Sequence, residues 1–291
     1  MEIRVLQYFL MVAREQNITK AAKQLHLTQP TLSRQLMQLE EELNTPLFIR
    51  GKRKIELTEA GMILRRRAEE IVTLIDKTQQ EVMQNEDMVG QVVIGTGVFD
   101  ASQNFLSDVI MQFQNLYPEV HFDIYTGNAD LIKERLDHGL VDIGILLEPV
   151  DVEKYNYIRL PKKEQWGIIV SQDHPLARKT QIEAADLKDA KLLSTNRSLV
   201  KNELMNWLGN SIDDSNFPIS YNFISNIIPL ILKNKGVAIT VEGAFHAYNT
   251  QNLVFIPLYP AIKTGCVIAW KKHQTLTKVV KELIHFMDRV K

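Results

Sequence analysis

The segment ITKAAKQLHLTQPTLSRQL, residues 18–36, constrains the fold more than any other part of this chain. Thr19 and Thr28 each precede a run of good helix formers, and a threonine hydroxyl there can accept an N–H bond as an N-cap. Ala21, Ala22 and Leu25 give the first helix a narrow apolar face that permits close approach of a neighbour. The segment therefore predicts two short helices joined by a tight turn.

The second helix of this pair has one apolar stripe, because Leu32, Leu36, Leu39 and Leu43 recur at steps of four, three and four. Pro30 is tolerated in the first turn. The polar residues outside the stripe are Gln29, Thr31, Ser33, Arg34 and Gln38. Gln and Arg side chains can pair with adenine and guanine, and Ser and Thr suit phosphates. The pattern indicates a helix-turn-helix from about Ile18 to Met37, although a lone helix pair is also typical of an ordinary all-α surface.

The next segment favours the DNA-binding interpretation. Residues 46–50 and 55–58 are predicted strands, and the Gly51 turn between them is basic. Such a hairpin beside a reading helix is a wing, and its cations are expected to contact phosphates or a minor groove. These cations are Arg50, Lys52, Arg53 and Lys54. A winged helix-turn-helix domain is thus predicted over residues 1–58.

Residues 1–61 resemble the DNA-binding domain of LysR-type transcriptional regulators. The matching positions are Phe9, Val12, Ala13, Ala21, Ala22, Leu25, Thr28, Gln29, Pro30, Leu32, Ser33, Leu36, Leu39, Glu40, Leu43, Leu47, Phe48, Arg50, Leu57, Thr58, Ala60 and Gly61. Asn44 departs from the usual glycine, but asparagine also tolerates a left-handed helix end. The resemblance implies DNA contacts by Gln29, Pro30, Thr31, Ser33 and Arg34 on the reading helix and by Arg50 and Arg53 on the wing.

The charge distribution agrees with this interpretation. Residues 1–67 carry a net charge of +5 and residues 68–291 carry −6. The near-neutral total therefore combines a basic N-terminal region with an acidic C-terminal region. The overall charge therefore does not argue against nucleic acid as a partner.

A long linker helix is predicted over residues 59–88. Leu64, Ala68, Ile71, Ile75, Thr78 and Val82 alternate spacings of four and three, which is a heptad seam. The seam predicts a homodimer that presents two reading helices to two half-sites. The resemblance implies a homotetramer, whereas the seam alone predicts only pairing.

From residue 91 to residue 291, strands alternate with helices, which predicts βαβ units and a largely parallel sheet. This region resembles the family's effector-binding domain, a two-lobed α/β fold like that of periplasmic binding proteins. The resemblance implies a lobe one of about residues 91–161 and 266–291 and a lobe two of about 162–265. The usual proline near Val241 is missing. The fold class expected for the whole chain is α/β with an N-terminal winged helix-turn-helix.

Ligands of such α/β folds bind at the carboxyl ends of strands, in the crevice between lobes. The predicted effector-binding residues are Thr96, Ser102, Gly127, Asn128, Glu148, Ser194, Thr195, Asn196 and Ser225. Hydroxyls and amides at helix N-termini favour an anionic ligand, whereas Glu148 suits a cation, and both alternatives stay open. Arg197 could bind a carboxylate of the ligand, or it could lie on the protein surface.

The sequence contains no GxxxxGK, HExxH or GxSxG motif and no metal-ligand spacing, so neither an enzyme, nor a metal, nor a cofactor is expected. Cys266 is the single cysteine of the sequence, which excludes an intrachain disulfide. No signal peptide or membrane span is predicted, and a cytoplasmic protein is expected. The predicted function is a sequence-specific transcriptional regulator that binds promoter DNA and an unidentified small-molecule co-inducer. Activation and repression both stay open, and RNA polymerase is a candidate partner. A binding receptor or enzyme with a head that no longer reads DNA is the alternative.

Overall fold

The computed structural model describes residues 1–51, 54–82, 88–209, 214–248 and 251–291, apart from the side chains of Arg50, Gln80 and Glu81. The chain divides into two compact units, Met1–Gln84 and Asn85–Lys291. Within the described ranges, no helix is long and apolar enough to cross a bilayer.

The first unit is a helical domain with a small hairpin. Its elements are α1 (Ile3–Glu15), α2 (Ile18–Gln24), α3 (Gln29–Glu42), β1 (Phe48–Arg50), β2 (Ile55–Leu57) and α4 (Glu59–Val82). Phe9 and Val12 of α1 pack with Ala21 of α2 and with the buried leucines of α3 in one core. The amphipathic spacing of the apolar residues therefore closes the three helices around a common centre.

The local signals of the helix pair are confirmed at two positions and wrong at two others. Thr28 caps α3 by accepting from the Thr31 N–H at 3.4 Å. Asn44 has a φ of 49°, as a left-handed helix end requires. The predicted cap at Thr19 is wrong, because Asn17 caps α2 instead and accepts from the Lys20 N–H at 3.0 Å. Leu43 is 37% exposed, because it lies beyond the last turn of α3.

The first half of the heptad seam predicted on α4 packs partly within its own chain. Ala68 is fully buried, and Leu64 and Ile71 pack beside it against the core of the first unit. Ala68 is therefore occupied within one chain, whereas Leu64 and Ile71 are only half-buried and their pairing with a second copy stays a prediction. Thr78 and Val82 are exposed.

The second unit is an α/β fold built on one continuous sheet. Its strands are β3 (Gly90–Thr96), β4 (Val120–Thr126), β5 (Ile143–Leu147), β6 (Tyr155–Ser171), β7 (Leu192–Thr195), β8 (Ile219–Tyr221), β9 (Val237–Val241), β10 (Leu253–Pro257) and β11 (Lys263–Lys271). Its α-helices are α5 (Leu106–Leu116, preceded by a π-turn at Ala101–Phe105), α6 (Ala129–Asp137), α7 (Ser198–Leu208), α8 (Ile228–Leu232), α9 (Glu242–His246) and α10 (Lys278–Val290).

The long strand β6 joins two lobes. Residues 155–165 pair with β11 in lobe one, and residues 166–171 pair with β9 and β10 in lobe two. Pro161 lies where the β6–β11 register shifts, a position at which a strand can lose a ladder hydrogen bond. The sequence pattern indicated a strand only over residues 167–170, because the proline and the two following lysines are typical of a turn.

Only half of the strand pairings are parallel, which corrects the largely parallel sheet that was predicted. Parallel pairs lie at the two ends of the sheet, β3 with β4 and β5, and β7 with β8 and β9. The central strands β6, β10 and β11 pair antiparallel with their neighbours. Each lobe nevertheless has helices on both faces of its sheet, which encloses three apolar clusters.

Candidate functional sites

The start of α3 presents a group of polar side chains on the surface of the first unit. Gln29, Pro30, Thr31 and Arg34 are exposed and Ser33 is half-buried, whereas Leu32, Leu36 and Leu39 are buried. The buried leucines fix the rotation of the helix, so its polar first turns are directed away from the core. Polar side chains on the first turns of such a helix are the ones that reach base edges in helix-turn-helix proteins.

The turn before α3 holds the two helices close together. Ala21 and Ala22 are almost fully buried, and the Leu27 N–H donates to the Ala22 carbonyl at 2.9 Å. His26 has a φ of 55°, so the connection reverses the chain within a few residues. This packing fixes α3 relative to α2.

The wing is an antiparallel hairpin of β1 and β2, with Phe48 opposite Leu57 and Arg50 opposite Ile55. The Glu40 carboxylate of α3 accepts from the backbone N–H groups of Leu47 (2.7 Å) and Phe48 (3.1 Å), so the reading helix holds the start of the wing. Lys54 forms an exposed ion pair with Glu56 at 3.3 Å, a kind of contact that contributes little stability. Lys52, Arg53 and the side chain of Arg50 lie outside the described residues.

In the second unit, the two lobes enclose a cleft with a volume of about 120 Å³. A single water needs roughly 10–15 Å³ on this scale, so the cleft has room for a small organic molecule. Its walls come from the carboxyl ends of strands in both lobes, as expected for α/β folds. The lining residues are Gly97, Val98, Phe99, Gly127, Asn128, Ala129, Ile132, Ile145, Leu146, Leu147, Trp166, Thr195, Arg197, Val200, Tyr221, Asn222, Phe223, Ile224, Ile239, Thr240, Val241 and Ala244.

Arg197 connects the two lobes at one side of this cleft. It lies at the start of α7 in lobe two, and its Nη2 donates to the carbonyl of Pro149 in lobe one at 2.8 Å. Its Nε is 3.5 Å from a carboxylate oxygen of Asp130. Burial lowers the pKa of the Arg197 guanidinium, and Asp130 partly opposes that effect. Arginine starts from a pKa so high that it stays charged.

Comparison with known proteins agrees with both units. Residues 3–62 match the model of the bacterial regulatory helix-turn-helix protein, lysR family, and residues 86–291 match the LysR substrate binding domain. The chain belongs to the LysR family of transcriptional regulators. It therefore has a DNA-binding helix-turn-helix and an effector-binding domain, which confirms the resemblance, the α/β fold class and the function predicted from the sequence.

The LysR chain is similar to known regulators over two thirds or more of its length. It is 28% identical to the Hca operon transcriptional activator HcaR of Escherichia coli K12, over 94% of this chain and 92% of that one. It is 34% identical to the regulator AlsR of Bacillus subtilis, over 67% and 64% of the two chains. The crystal structure of the LysR family regulator CbnR superposes with a TM-score of 0.74 at 19% identity and covers 99% of both chains, which supports the fold.

Three of the effector-binding residues predicted for this LysR chain line the cleft: Gly127, Asn128 and Thr195. Asn128 also caps α6, since its side chain accepts from the Leu131 N–H at 2.9 Å, and Thr195 accepts from the Arg197 N–H at 3.3 Å. Their contact with an effector stays a prediction.

The other six predicted residues lie outside the lining, for local reasons. Thr96 and Ser194 are buried in their strands, and Asn196 and Ser225 are exposed. The Ser102 hydroxyl donates to the Phe99 carbonyl at 2.7 Å, so it caps the turn at the start of its helix. Glu148 accepts from the Arg159 Nε at 3.2 Å instead of facing the cleft.

The prediction missed most of the apolar wall of the cleft. Trp166 comes from the part of β6 that did not resemble a strand. Tyr221 ends β8, a strand that the sequence pattern did not indicate, and Phe223 lies two residues further on. The apolar sequence pattern predicts a strand over residues 236–239, and Thr240 and Val241 extend β9 beyond it. Strand ends are the signal that could have identified these residues, had the strands been predicted at full length.

Proposed function

We propose that this LysR-type regulator reads its operator with the start of α3 and changes its DNA binding when a small molecule occupies the cleft between the lobes. The observation that carries the proposal is the polar start of α3, where Gln29, Thr31 and Arg34 are exposed. The leucines on the other side of the helix, Leu32, Leu36 and Leu39, are buried. An arginine and a glutamine presented in this way can pair with guanine and adenine.

The proposal places the protein in the cytoplasm as a regulator without enzymatic activity, metal or cofactor. The relatives it matches are transcriptional regulators. Gln29, Pro30, Thr31, Ser33 and Arg34 are the proposed base and phosphate contacts of the reading helix. Arg50 and Arg53 are the proposed contacts of the wing, on the argument that this hairpin is basic in sequence.

We further propose that the active form is a homodimer or a homotetramer. Ile63 and Leu74 of α4 are 57% and 45% exposed and stand eleven residues apart, which is about three helical turns on one face. Large exposed apolar side chains on one face of a long helix favour pairing with a second copy. Pairing would place two reading helices on two half-sites.

The effector can act only by binding two arrangements of the protein unequally. Arg197 and Glu164 both make contacts that join lobe one to lobe two, so a molecule in the cleft would favour one relative position of the lobes. We propose that this change in the relative position of the lobes alters DNA binding.

A random-oligonucleotide selection with the full-length protein tests the DNA-binding half of the proposal. We expect one enriched sequence, whose binding weakens with salt because cationic side chains displace counterions. The double variant Gln29→Ala, Arg34→Ala should lose the enrichment, since each bidentate base contact is worth about 1–3 kcal/mol.

The matched control is Arg178→Ala, Gln251→Ala, which removes the same two side-chain types from exposed positions of the second unit. It should enrich the same sequence as the parent protein. If the parent enriches no sequence, or if the Gln29 and Arg34 variant enriches the same one, the proposed reading helix is refuted.

A further inference from the structure

The cleft between the lobes is mostly apolar, yet it contains one buried charged side chain. Arg197 is 93% buried, being only 7% exposed, and it is the one charged side chain among the described residues that line the cleft. Burying a guanidinium is costly unless hydrogen bonds or an opposite charge compensate. The groups around Arg197 therefore indicate what the cleft is built to hold.

Protein partners satisfy Arg197 only in part. Its Nη2 donates to the Pro149 carbonyl at 2.8 Å, and its Nη1 makes a long contact of 3.5 Å to the Leu147 carbonyl. Its buried Nε has no hydrogen-bond partner within the ranges that the structure describes. The nearest carboxylate, Asp130, is 60% exposed at a separation of 3.5 Å, so solvent weakens its charge at the guanidinium. A guanidinium has five N–H donors, so donors remain for a ligand.

Two helix starts add positive potential from opposite sides of the same cleft. Asn128 and Ala129 at the start of α6 belong to lobe one, and Thr195 and Arg197 at the start of α7 belong to lobe two. The Arg197 side chain does not cap α7, whose first N–H groups therefore have no partner from that side chain. The N–H groups of a helix start and the helix dipole both favour an anion.

Most of the remaining lining is apolar, and its uncharged polar side chains are those of Asn128, Thr195, Tyr221, Asn222 and Thr240. Phe99, Ile132, Trp166 and Val200 are at least 95% buried and form its walls. The described lining contains no acidic side chain that would attract a cation. One cation against an apolar wall suits a ligand with a single negative charge on a small apolar body, because a second charge would be buried without a partner.

We infer that the effector is a small monocarboxylate, with its carboxylate on Arg197 and its apolar body against Phe99, Ile132 and Trp166. The inference rests on the proposed effector cleft and specifies the chemistry of its ligand. Arginine is the side chain best matched to a carboxylate, which it can bind through two parallel N–H donors. Because Arg197 already joins lobe two to carbonyls of lobe one, a carboxylate bound there would contact both lobes.

Isothermal titration of the full-length protein tests the inference without changing any residue. The probes are benzoate and hexanoate, their uncharged amides benzamide and hexanamide, the cation benzylamine, and inorganic phosphate. We expect at least one carboxylate to bind roughly 10- to 100-fold more tightly than its amide, the range typical of a charged hydrogen-bonded pair. Phosphate alone should bind weakly, since it lacks the apolar body.

Three variants locate the binding. Arg197→Gln should remove the preference for the carboxylate over the amide, Arg197→Lys should keep part of it, and Arg178→Gln, at an exposed arginine outside the cleft, should leave it unchanged. The ratio of carboxylate to amide affinity is the readout, because lost folding would lower both affinities together.

The outcomes distinguish an error in the carboxylate inference from an error in the proposed effector cleft. If the amides or benzylamine bind as tightly as the carboxylates, or if Arg197→Gln keeps the preference, the carboxylate inference is wrong and the effector cleft stands. If none of the six probes binds, the monocarboxylate inference is wrong, and the proposed effector cleft then needs a ligand of another class. If phosphate binds as tightly as the carboxylates, the site is one for inorganic anions and the apolar body has no role.

Discussion

The carboxylate of Glu164 accepts a hydrogen bond of 2.6 Å from the backbone N–H of Asp100. Its other oxygen accepts from the backbone N–H of Gly243 at 3.0 Å. Asp100 begins a helix of lobe one, Gly243 lies in α9 of lobe two, and Glu164 belongs to the strand that joins the lobes. One buried carboxylate on β6 thus links both lobes, on a strand shared by the two.

The stability of the second unit should depend on the ionisation of Glu164. Burial raises its pKa, and the N–H groups of Gly243 and Asp100 oppose that effect. The folded state therefore binds this proton more tightly than the unfolded chain. Its contribution to the unfolding free energy is largest below the ordinary glutamate pKa of about 4.3 and falls as the pH rises through the folded value.

Urea unfolding of the parent protein and of Glu164→Gln across pH 4–7 measures this effect. The unfolding free energy of the parent minus that of the variant should decrease as the pH rises, because the amide cannot ionise. A difference that stays constant or grows with pH would contradict the raised pKa. Glu203→Gln, which replaces an exposed glutamate, is the control and should show no such slope.

Gly243→Ala should destabilise the contact between the lobes. A Cβ at this position would lie 2.2 Å from the Asp100 nitrogen and within 3 Å of both carboxylate oxygens of Glu164, so the backbone must move. Such overpacking typically lowers the unfolding free energy by about 1–3 kcal/mol. Urea denaturation measures it, with the exposed Ala247→Ser as control. An unchanged urea midpoint would show that the contact between the lobes at Gly243 does not contribute to the unfolding free energy.

Thr28→Ala should weaken the first unit and operator binding together. The Thr28 hydroxyl caps α3 at the turn that carries the proposed base contacts, and losing such a cap costs about 1 kcal/mol. The control is Thr73→Ala on α4, where the hydroxyl donates only to the Glu69 carbonyl of its own helix. Thermal denaturation and DNA titration measure both effects. Equal behaviour of the two variants would show that the cap does not order the reading helix.

Ile63→Glu combined with Leu74→Glu should shift the protein towards monomers. Both side chains are apolar and exposed on the same side of α4, so two carboxylates there would have to be buried in any interface that this face forms. Sedimentation velocity measures the assembly, and Gln79→Glu, on another side of α4, is the control. A double variant that sediments like the parent would exclude this face from the interface.

Local patterns identified the reading helix because its determinants lie close together in the chain. The four- and three-residue steps of Leu32, Leu36 and Leu39 set the buried side, and Thr28 marks the start three residues before its bonding partner Thr31. The predicted start of α2 was wrong because two neighbouring residues can both act as the N-cap. Asn17 and Thr19 both have side chains that can cap a helix, and only the folded chain shows that Asn17 is the cap.

The sequence by itself determined the helix-turn-helix, the wing and the α/β class of the second unit, because each depends on periodicity and turn chemistry over short stretches. The tertiary structure alone decided the cleft. Arg197 meets the carbonyls of Leu147 and Pro149 about fifty positions earlier, and Glu164 meets Gly243 seventy-nine positions later. Such pairings follow from how β6 passes between two lobes, and no local spacing encodes the path of a strand through a sheet.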